Sequence, residues 1–476
     1  MKSKKMILQI KNSFSQLIDF PESTIAEVKQ VLTYEDKELA HELKSLHIQL
    51  KNPKSHRHKY FIKNRIKEIG NPSKCLLAKN NTFPSGLLPQ VFDILKQTKS
   101  KFTLEDKRQK YSDQIRFKKK KDWPEARPWQ DAALSVSESQ NRGVFEASVG
   151  SGKTLLMASI ILQKRVPTLV VVPSLGLIDQ TLSEFGELFG KSKVGKLGSK
   201  APIIICNIQS LQSEKKKDII DKTINNSHML LIDEFHRAGA ESYTSLLPKI
   251  EHIFYRYGFT GTFLRNDSKT LEMHGVLSNI LYKYPPKQAI ADGYLTPPEY
   301  NIVKIIGDYK NNYQSEYKAN YCDGLALRHK IVQLTKLHED KQVLILVDRK
   351  ATSGSIIHTA LKDAGLDNVY VSGDTKRDGR KKAREDFNAK KFNILVASSV
   401  FGEGIDIRST DVLILANGGK SPIKFVQNIG RAVRLYKGKE IAKIYDFRFK
   451  GTKYLEKHLK VRKETFQLNF GGEINE

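Results

Sequence analysis

The sequence predicts an α/β protein: two tandem parallel-sheet lobes behind a small, basic α+β module at the N-terminus. Three observations predict it. Short apolar runs alternate with helix-like segments from Arg127 onward. The stretch "DGYLTPPEY" (Asp292–Tyr300), with its glycine and paired prolines, divides those runs into two successive series. The first 122 residues carry 27 Lys/Arg against 13 Asp/Glu, half of the chain's net +28 on about a quarter of its length.

Each element follows in order. Residues 1–115 read as the basic accessory module. "RFKKKKDWPEARP" follows, a lysine run and two prolines, and reads as a linker and domain start. The first lobe, 116–296, is predicted from the strands "GVFEA", "TLVVVPS", "PIIICN", "MLLIDE" and "RYGFTGT". The second lobe, 297–476, is predicted from "QVLILVD", "NVYVSGD", "FNILVAS", "DVLILAN" and "AKIYDF". These runs are continuously apolar rather than alternating, which argues for parallel strands covered on both faces. The last stretch, roughly 25 residues, reads as helical and basic, packed on the second lobe or frayed.

Bulk properties limit the function. The chain has 476 residues, too many for one ordinary core, and 39% hydrophobic residues, enough for packed ones. A net charge of +28 calls for a polyanionic partner, nucleic acid by default and an anionic membrane as the rival. No apolar stretch approaches the ~20 residues of a span, so no membrane partner is expected. "MKSKKMILQI" has no small-residue cleavage site and is read as no signal peptide. Cys75, Cys206 and Cys322 lie far apart, which suits a reducing, cytoplasmic setting and argues against zinc.

"FEASVGSGKTLLMASIIL" places Gly150, Ser151, Gly152, Lys153 and Thr154 between a strand and a helix. Backbone N–H groups of such a turn surround phosphate oxygens, and the helix N-terminus adds its positive dipole end. Lys153 would reach the β and γ phosphates of ATP, and the Thr154 hydroxyl would ligate Mg²⁺. Upstream, "ARPWQDAAL" offers Arg127 and Gln130, and a glutamine amide can bond both N6 and N7 of adenine.

"MLLIDEFHRAGA" ends a strand on two adjacent carboxylates, Asp233 and Glu234. Two like charges there need a positive neighbour. An ATP site supplies one, since it requires a carboxylate for Mg²⁺ and a group that orients or deprotonates water. Asp233 is then the metal-side acid and Glu234 the base.

"ASVGSGKT" with "DEFH" resembles the superfamily 2 helicases and translocases of the D-E-x-H type, including the Ala147 that stands where the strict loop has glycine. Further motifs match in order over roughly residues 123–450. They are "VVVPSLGLIDQ", "NIQSL", "GFTGTFLR", "LILVDRKATSG", "ASSVFGEGIDI" and "QNIGRAVR". The resemblance implies two RecA-like lobes and ATP with Mg²⁺. It implies that Arg431 and Arg434, with Gln427, reach the γ-phosphate region, and that Gly404 and Asp406 approach phosphate and ribose. His236 would sense the γ-phosphate region and contact "GFTGT" or the arginine motif. Nucleic-acid phosphates would meet Pro173, Ser174, Gln209, Ser210, Arg349 and Ser399. Ser372, Lys376 and Arg377 join them, because "DTKRDGRKKAREDF" sets six basic residues after a strand. Such contacts read backbone rather than bases.

"DGYLTPPEY" resembles the lobe linker of the repair-helicase and phage D-E-x-H group, and "FPSGLLPQVFDIL", ahead of the motor, resembles phage-type helicases of the UvsW kind, which remodel forks, D-loops and four-way junctions. That resemblance implies branched DNA as partner, tracking along a single strand, and replication or recombination proteins as further partners. An RNA helicase, the motor subunit of a restriction complex, and a nucleic-acid-binding protein with a decayed motor are the alternatives. Within "KNPKSHRHKYFIKNRIK", Tyr60 and Phe61 are expected in the core of a half-buried element; stacking on an unpaired base is the alternative. Lys118–Lys121 reads equally as solvated linker or phosphate contact.

Overall fold

The computed structural model describes residues 5–53, 55–117, 119–237, 240–261, 270–348, 351–398 and 407–476. The chain divides into two compact units, Met1–Glu146 with Thr154–Lys283, and Ala147–Lys153 with Tyr284–Glu476.

The first unit opens with β1 (Ile7–Ile10), β2 (Phe14–Ile18) and α1 (Glu22–Val31). Strand β3 (Thr33–Glu35) leads into α2 (Lys37–Lys51) and α3 (His56–Ile69), and β4 (Ser73–Cys75) returns antiparallel to β3. Then β5 (Thr82–Pro84), α4 (Leu88–Gln97) and β6 (Thr103–Asp106) complete a mixed four-stranded sheet, order β5-β2-β1-β6. Leu8, Leu17, Val28, Phe83, Val91 and Leu95 form its buried core.

This module is joined to the rest of the first unit by buried polar contacts. Arg256 is fully buried and donates through Nη2 to Ser13 Oγ at 2.8 Å, while Ser13 Oγ donates to Leu247 O at 2.7 Å. Beside it in strand register, Arg142 donates to Asn12 O. Burial, and then the nearby Arg108 charge, push the Arg142 guanidinium down to about 9. No carboxylate forms an ion pair with Arg142 or Arg256 among the described residues. Their N–H groups therefore depend on the module's Ser13 and Asn12, and on carbonyls. Removing one partner leaves a buried donor unsatisfied, so Ser13→Ala is expected to lower stability by about 1–3 kcal/mol. A lowered urea midpoint at unchanged slope checks it.

The stretch read as a linker is strapped to the first unit. Ile115 N donates to Arg165 O at 2.7 Å, Phe117 is buried, and Phe117 and Trp123 both pack edge-on to Phe189. Lys120 also takes part, its Nζ donating to Glu187 O; Lys118 lies outside the described residues.

The large sheet of this unit follows from α5 (Pro128–Ser139), β7 (Arg142–Ala147), α6 (Lys153–Lys164), β8 (Thr168–Val172) and α7 (Leu175–Phe189). Next come β9 (Val194–Lys196), β10 (Ile203–Asn207), α8 (Ile208–Leu211), α9 (Lys217–Asn225) and β11 (Met229–Ile232). It ends with α10 (Ala240–Thr244), β12 (Tyr255–Thr260), α11 (Thr270–Val276) and β13 (Ile280–Tyr284). The strand order is β13-β7-β12-β11-β8-β10-β9, all parallel.

The second unit runs α12 (Pro286–Ala291), β14 (Pro298–Ile306), α13 (Tyr313–Tyr317), α14 (Leu325–Leu337), β15 (Val343–Val347) and α15 (Ala351–Asp363). It continues through β16 (Val369–Val371), α16 (Arg377–Asn388), β17 (Ile394–Ser398), β18 (Val412–Ala416) and α17 (Pro422–Ala432). Last are β19 (Ala442–Lys450), α18 (Tyr454–Asn469) and β20 (Ile474–Asn475). Its sheet is again all parallel, order β16-β17-β15-β18-β19-β14-β20. The predicted class, two parallel RecA-like lobes with a small mixed-sheet module, is the observed one. The C-terminal helix α18 packs rather than frays: Leu455, Leu459 and Phe466 are buried, and Arg462 pairs with the fully buried Asp446 at 2.6 Å.

Helix α3 overturns one expectation. Tyr60 and Phe61 are 69% and 65% exposed, not core. Only Ile62 is buried on α3 and only Leu46 on α2, so the two helices bury a single narrow seam.

Candidate functional site

The phosphate loop leaves the carboxyl end of β7, and the acidic motif leaves that of β11, two strands away in one sheet. Open parallel sheets bind ligands at these ends, where the following helices present their N-termini.

The loop is built as a turn that only glycine takes easily. Gly150 and Gly152 have φ of +82° and +99°, in the left-handed region. Ser151 closes the turn, with N and Oγ both donating to Ser148 O at 3.2 and 2.7 Å. Ser148 N is tied to Tyr284 O at 3.0 Å. The Ser148 hydroxyl is buried with no hydrogen-bond partner among the described residues. Lys153, the first residue of α6, bends over the loop and donates to Ala147 O at 3.2 Å. Thr154 follows one position into the helix. A glycine turn at a helix N-terminus, an unpartnered buried hydroxyl and a lysine across the turn's mouth fit a polyphosphate. The hydroxyl of Thr154 and the carboxylate of Asp233 are hard oxygen donors of the kind Mg²⁺ takes.

The loop groups with the second unit, and its neighbours there explain why. A Cβ added to Gly150 would lie 3.1 Å from Arg434 Cγ and 3.5 Å from its Nε. A Cβ on Gly430 would lie 3.0 Å from Val149 Cβ. Hence Gly430 lets α17 approach the loop, and Arg434 stands directly against it. Arg434 is fixed from behind: Leu295 bridges it in antiparallel fashion, and Lys439 Nζ donates to its carbonyl at 2.9 Å. Burial pushes the Lys439 ammonium down to about 8, with Asp411 opposing that shift. Arg431 is buried and donates to Asn428 Oδ1 at 2.9 Å, and Gln427 is buried on the same helix.

In the first unit, the acidic motif is held at both ends. Asp233 N donates to Val171 O at 2.9 Å, and Asp233 Oδ1 accepts from Glu234 N at 2.9 Å. Glu234 has φ +46°, a left-handed conformation that costs a non-glycine residue of order 1 kcal/mol or more. Phe235, fully buried, anchors the turn by packing over Gly258, where an added Cβ would come within 3.2 Å of the ring. His236 is buried; its Nδ1 lies 2.6 Å from Thr260 Oγ1 and 3.4 Å from Glu234 Oε2. It therefore connects the acidic motif to the "GFTGT" strand, one of its two expected contacts.

Gln130 is buried at the start of α5, and its Oε1 accepts from Arg127 N at 2.8 Å. The helix cap thus sets the amide plane, and any adenine contact shares that oxygen, which has a second lone pair.

The expected phosphate-contacting residues fall into two groups. In the first unit, Pro173 and Ser174 follow β8, while Gln209 and Ser210 follow β10, its direct neighbour in register. Asn207 organises the second group: its Nδ2 donates to Gln209 Oε1 at 2.8 Å, and its Oδ1 accepts from Ser210 N at 3.3 Å. The sequence reading passed over Asn207, although an asparagine just before a short helix is a capping signal. In the second unit, Ser372 Oγ accepts from Asp374 N at 3.2 Å, and the exposed Lys376 stands immediately before α16, with no side-chain cap bond. Arg349, Ser399, Gly404 and Asp406 lie outside the described residues, as does the Arg377 side chain. Cys206 is buried, which raises its thiol to about 12 and leaves it no nucleophilic role; no disulfide links the three cysteines. No helix among the described residues is long and apolar enough to cross a membrane.

Residues 101–265 match the family model of the type III restriction enzyme res subunit, and residues 326–436 that of the helicase conserved C-terminal domain. A helicase-named protein of the Sulfolobus islandicus filamentous virus is 27% identical over 350 residues, 67% of this chain and 62% of its own length. The ATP-dependent DNA helicase uvsW of Enterobacteria phage T4 is 23% identical over 344 residues, 67% of each chain. Among solved structures, the DUF1998 helicase MrfA bound to DNA has a TM-score of 0.57 at 16% identity, covering 75% of this chain and 50% of that one. At that identity the likeness concerns the fold.

Proposed function

We propose that the chain, which belongs to the superfamily 2 helicases, is an ATP-dependent motor that acts on DNA, remodelling forks, D-loops and four-way junctions by branch migration. The observation that carries the proposal is the joining of a unit that bears ATP-site groups to a basic accessory module through buried contacts. That module shares buried arginine contacts with the first unit, so whatever it grips is gripped by the motor. The phage relative named a DNA helicase supports DNA over RNA.

Each site residue then has a proposed role. The Gly150–Lys153 turn binds the polyphosphate, with Lys153 released from Ala147 O to the β and γ oxygens. Thr154 and Asp233 would hold Mg²⁺, which supplies charge neutralisation across those oxygens. Glu234, displaced from ordinary backbone geometry, orients and deprotonates the attacking water. Arg434, already against the loop, and Arg431 stabilise charge that develops on the transferred phosphoryl group. His236 reports the state of Glu234 to Thr260 through the contacts above. Pro173, Ser174, Gln209 and Ser210 bind one strand's phosphates on adjacent strand ends, with Ser372, Lys376 and Arg377 in the second unit. Backbone contacts of this kind hold DNA without selecting sequence. ATP-dependent dissociation of a synthetic four-way DNA junction, run beside an RNA duplex, tests the proposal.

A further inference from the structure

We propose that the helical hairpin of α2 and α3 is a branch-point pin. Lysines on α3 hold phosphates, and Tyr60 and Phe61 stack on the bases where strands part. The inference rests on the proposed action on branched DNA and adds the residues that recognise the branch.

The hairpin is an insertion on a rigid neck. Strands β3 and β4 pair at its base, with Thr33 opposite Cys75 and Glu35 opposite Ser73. Asp36, buried, caps α2 by accepting from Glu38 N and Leu39 N at 3.1 and 3.2 Å, and Ser55 caps α3. Tyr34 on the neck hydrogen-bonds Glu272 of α11, which fixes the hairpin to the first unit. Beyond the neck, the two helices are held by Leu46, Ile62 and a two-pronged Arg65–Glu42 pair at 2.8 and 3.2 Å. The Arg65 guanidinium holds the Glu42 carboxyl below its usual range. A 15-residue α2 gives the arm a reach of about 22 Å.

Its surface fits a nucleic-acid branch. Residues 37–69 carry nine Lys/Arg against three Asp/Glu. The seam toward α2 uses His58, Ile62, Arg65, Ile66 and Ile69, at helical spacing. The outward face then carries His56, Lys59, Tyr60, Lys63 and Lys67, all exposed, with Phe61 at its flank. Two adjacent aromatics, each about two-thirds exposed, have no packing role on such a thin hairpin. Among lysines, their rings suit unstacked bases, which a branch point offers and a continuous duplex does not.

The test is equilibrium binding of the full chain, without nucleotide, to a DNA fork with 2-aminopurine at the branch and to a continuous duplex. Wild type is expected to prefer the fork and to change the branch fluorescence. Tyr60→Ala/Phe61→Ala is expected to lose about 5- to 100-fold of that preference and the branch signal, with DNA-independent ATPase unchanged. Tyr60→Trp/Phe61→Trp is expected to keep both. Lys59→Gln/Lys63→Gln/Lys67→Gln is expected to lower the salt slope by about 2.7, at roughly 0.9 per phosphate contact. A wild-type preference that survives unchanged in the alanine pair overturns the pin alone, as does an unchanged slope in the glutamine triple. A wild-type chain indifferent to the branch overturns the proposed function itself, and a hairpin that instead carries binding to an acidic peptide overturns the nucleic-acid assignment.

Discussion

Replacing Lys153 with alanine is expected to lower the rate of ATP hydrolysis by about 10²–10³-fold or more, while DNA affinity measured without nucleotide stays within about threefold of wild type. The lysine is placed across the mouth of the loop by the helix that starts there, and it donates to Ala147 O at 3.2 Å. Its ammonium would meet the β and γ oxygens, where negative charge grows most in the transition state. The loop backbone does not depend on it, since Ser151 and Ser148 close the turn by themselves. Steady-state ATPase and filter binding on one preparation separate the two effects. Loss of DNA binding in parallel with hydrolysis would mean that the lysine supports the fold.

Arg434→Ala is expected to reduce kcat by about 10³-fold or more, the scale on which a phosphate-directed arginine acts in phosphoryl transfer. The structure gives a reason to single it out from Arg431. Arg434 lies against Gly150, whereas Arg431 is engaged with Asn428 on its own helix. Arg434→Lys is expected to recover little, because an ammonium cannot reproduce the planar fork. The measurement is kcat at saturating ATP and DNA. A lysine variant near wild-type activity would reduce the residue to a general positive charge.

The sequence made the centre of each lobe legible and its edges obscure. The central strands β8, β10, β15, β17 and β18 are buried along their whole length, so they appear as unbroken apolar words. Strand β13, "ILYKY", sits at a sheet edge with four of its five residues partly or fully exposed, and no such word marks it. Strand β14 begins at a proline in the stretch read only as a divider between lobes. The ATP-site letters were readable because phosphate binding needs particular residues at fixed spacing. The His236–Thr260 bond was legible only as one of two alternative contacts, because its partners lie 24 residues apart and meet only through strand register. Tyr60 and Phe61 were misread for a related reason. Alternating apolar and basic letters suggest a half-buried element, and nothing local reveals that α3 has only α2 to lean on.

The joining of the N-terminal module to the first unit could not be read either. Arg142 and Arg256 look like surface letters, yet both are buried and are satisfied partly by Asn12 and Ser13. Deleting residues 1–115 would therefore strip partners from two buried guanidiniums as well as removing a binding surface. Point changes on α3 probe the proposed DNA contact without that cost.

The most direct test of DNA remodelling is a time course of a synthetic four-way DNA junction with the purified full chain, Mg²⁺ and ATP. The expected result is conversion of the junction into two forked duplexes, dependent on ATP hydrolysis and absent with Lys153→Ala. An intact junction under conditions in which the same preparation separates RNA duplexes would contradict it.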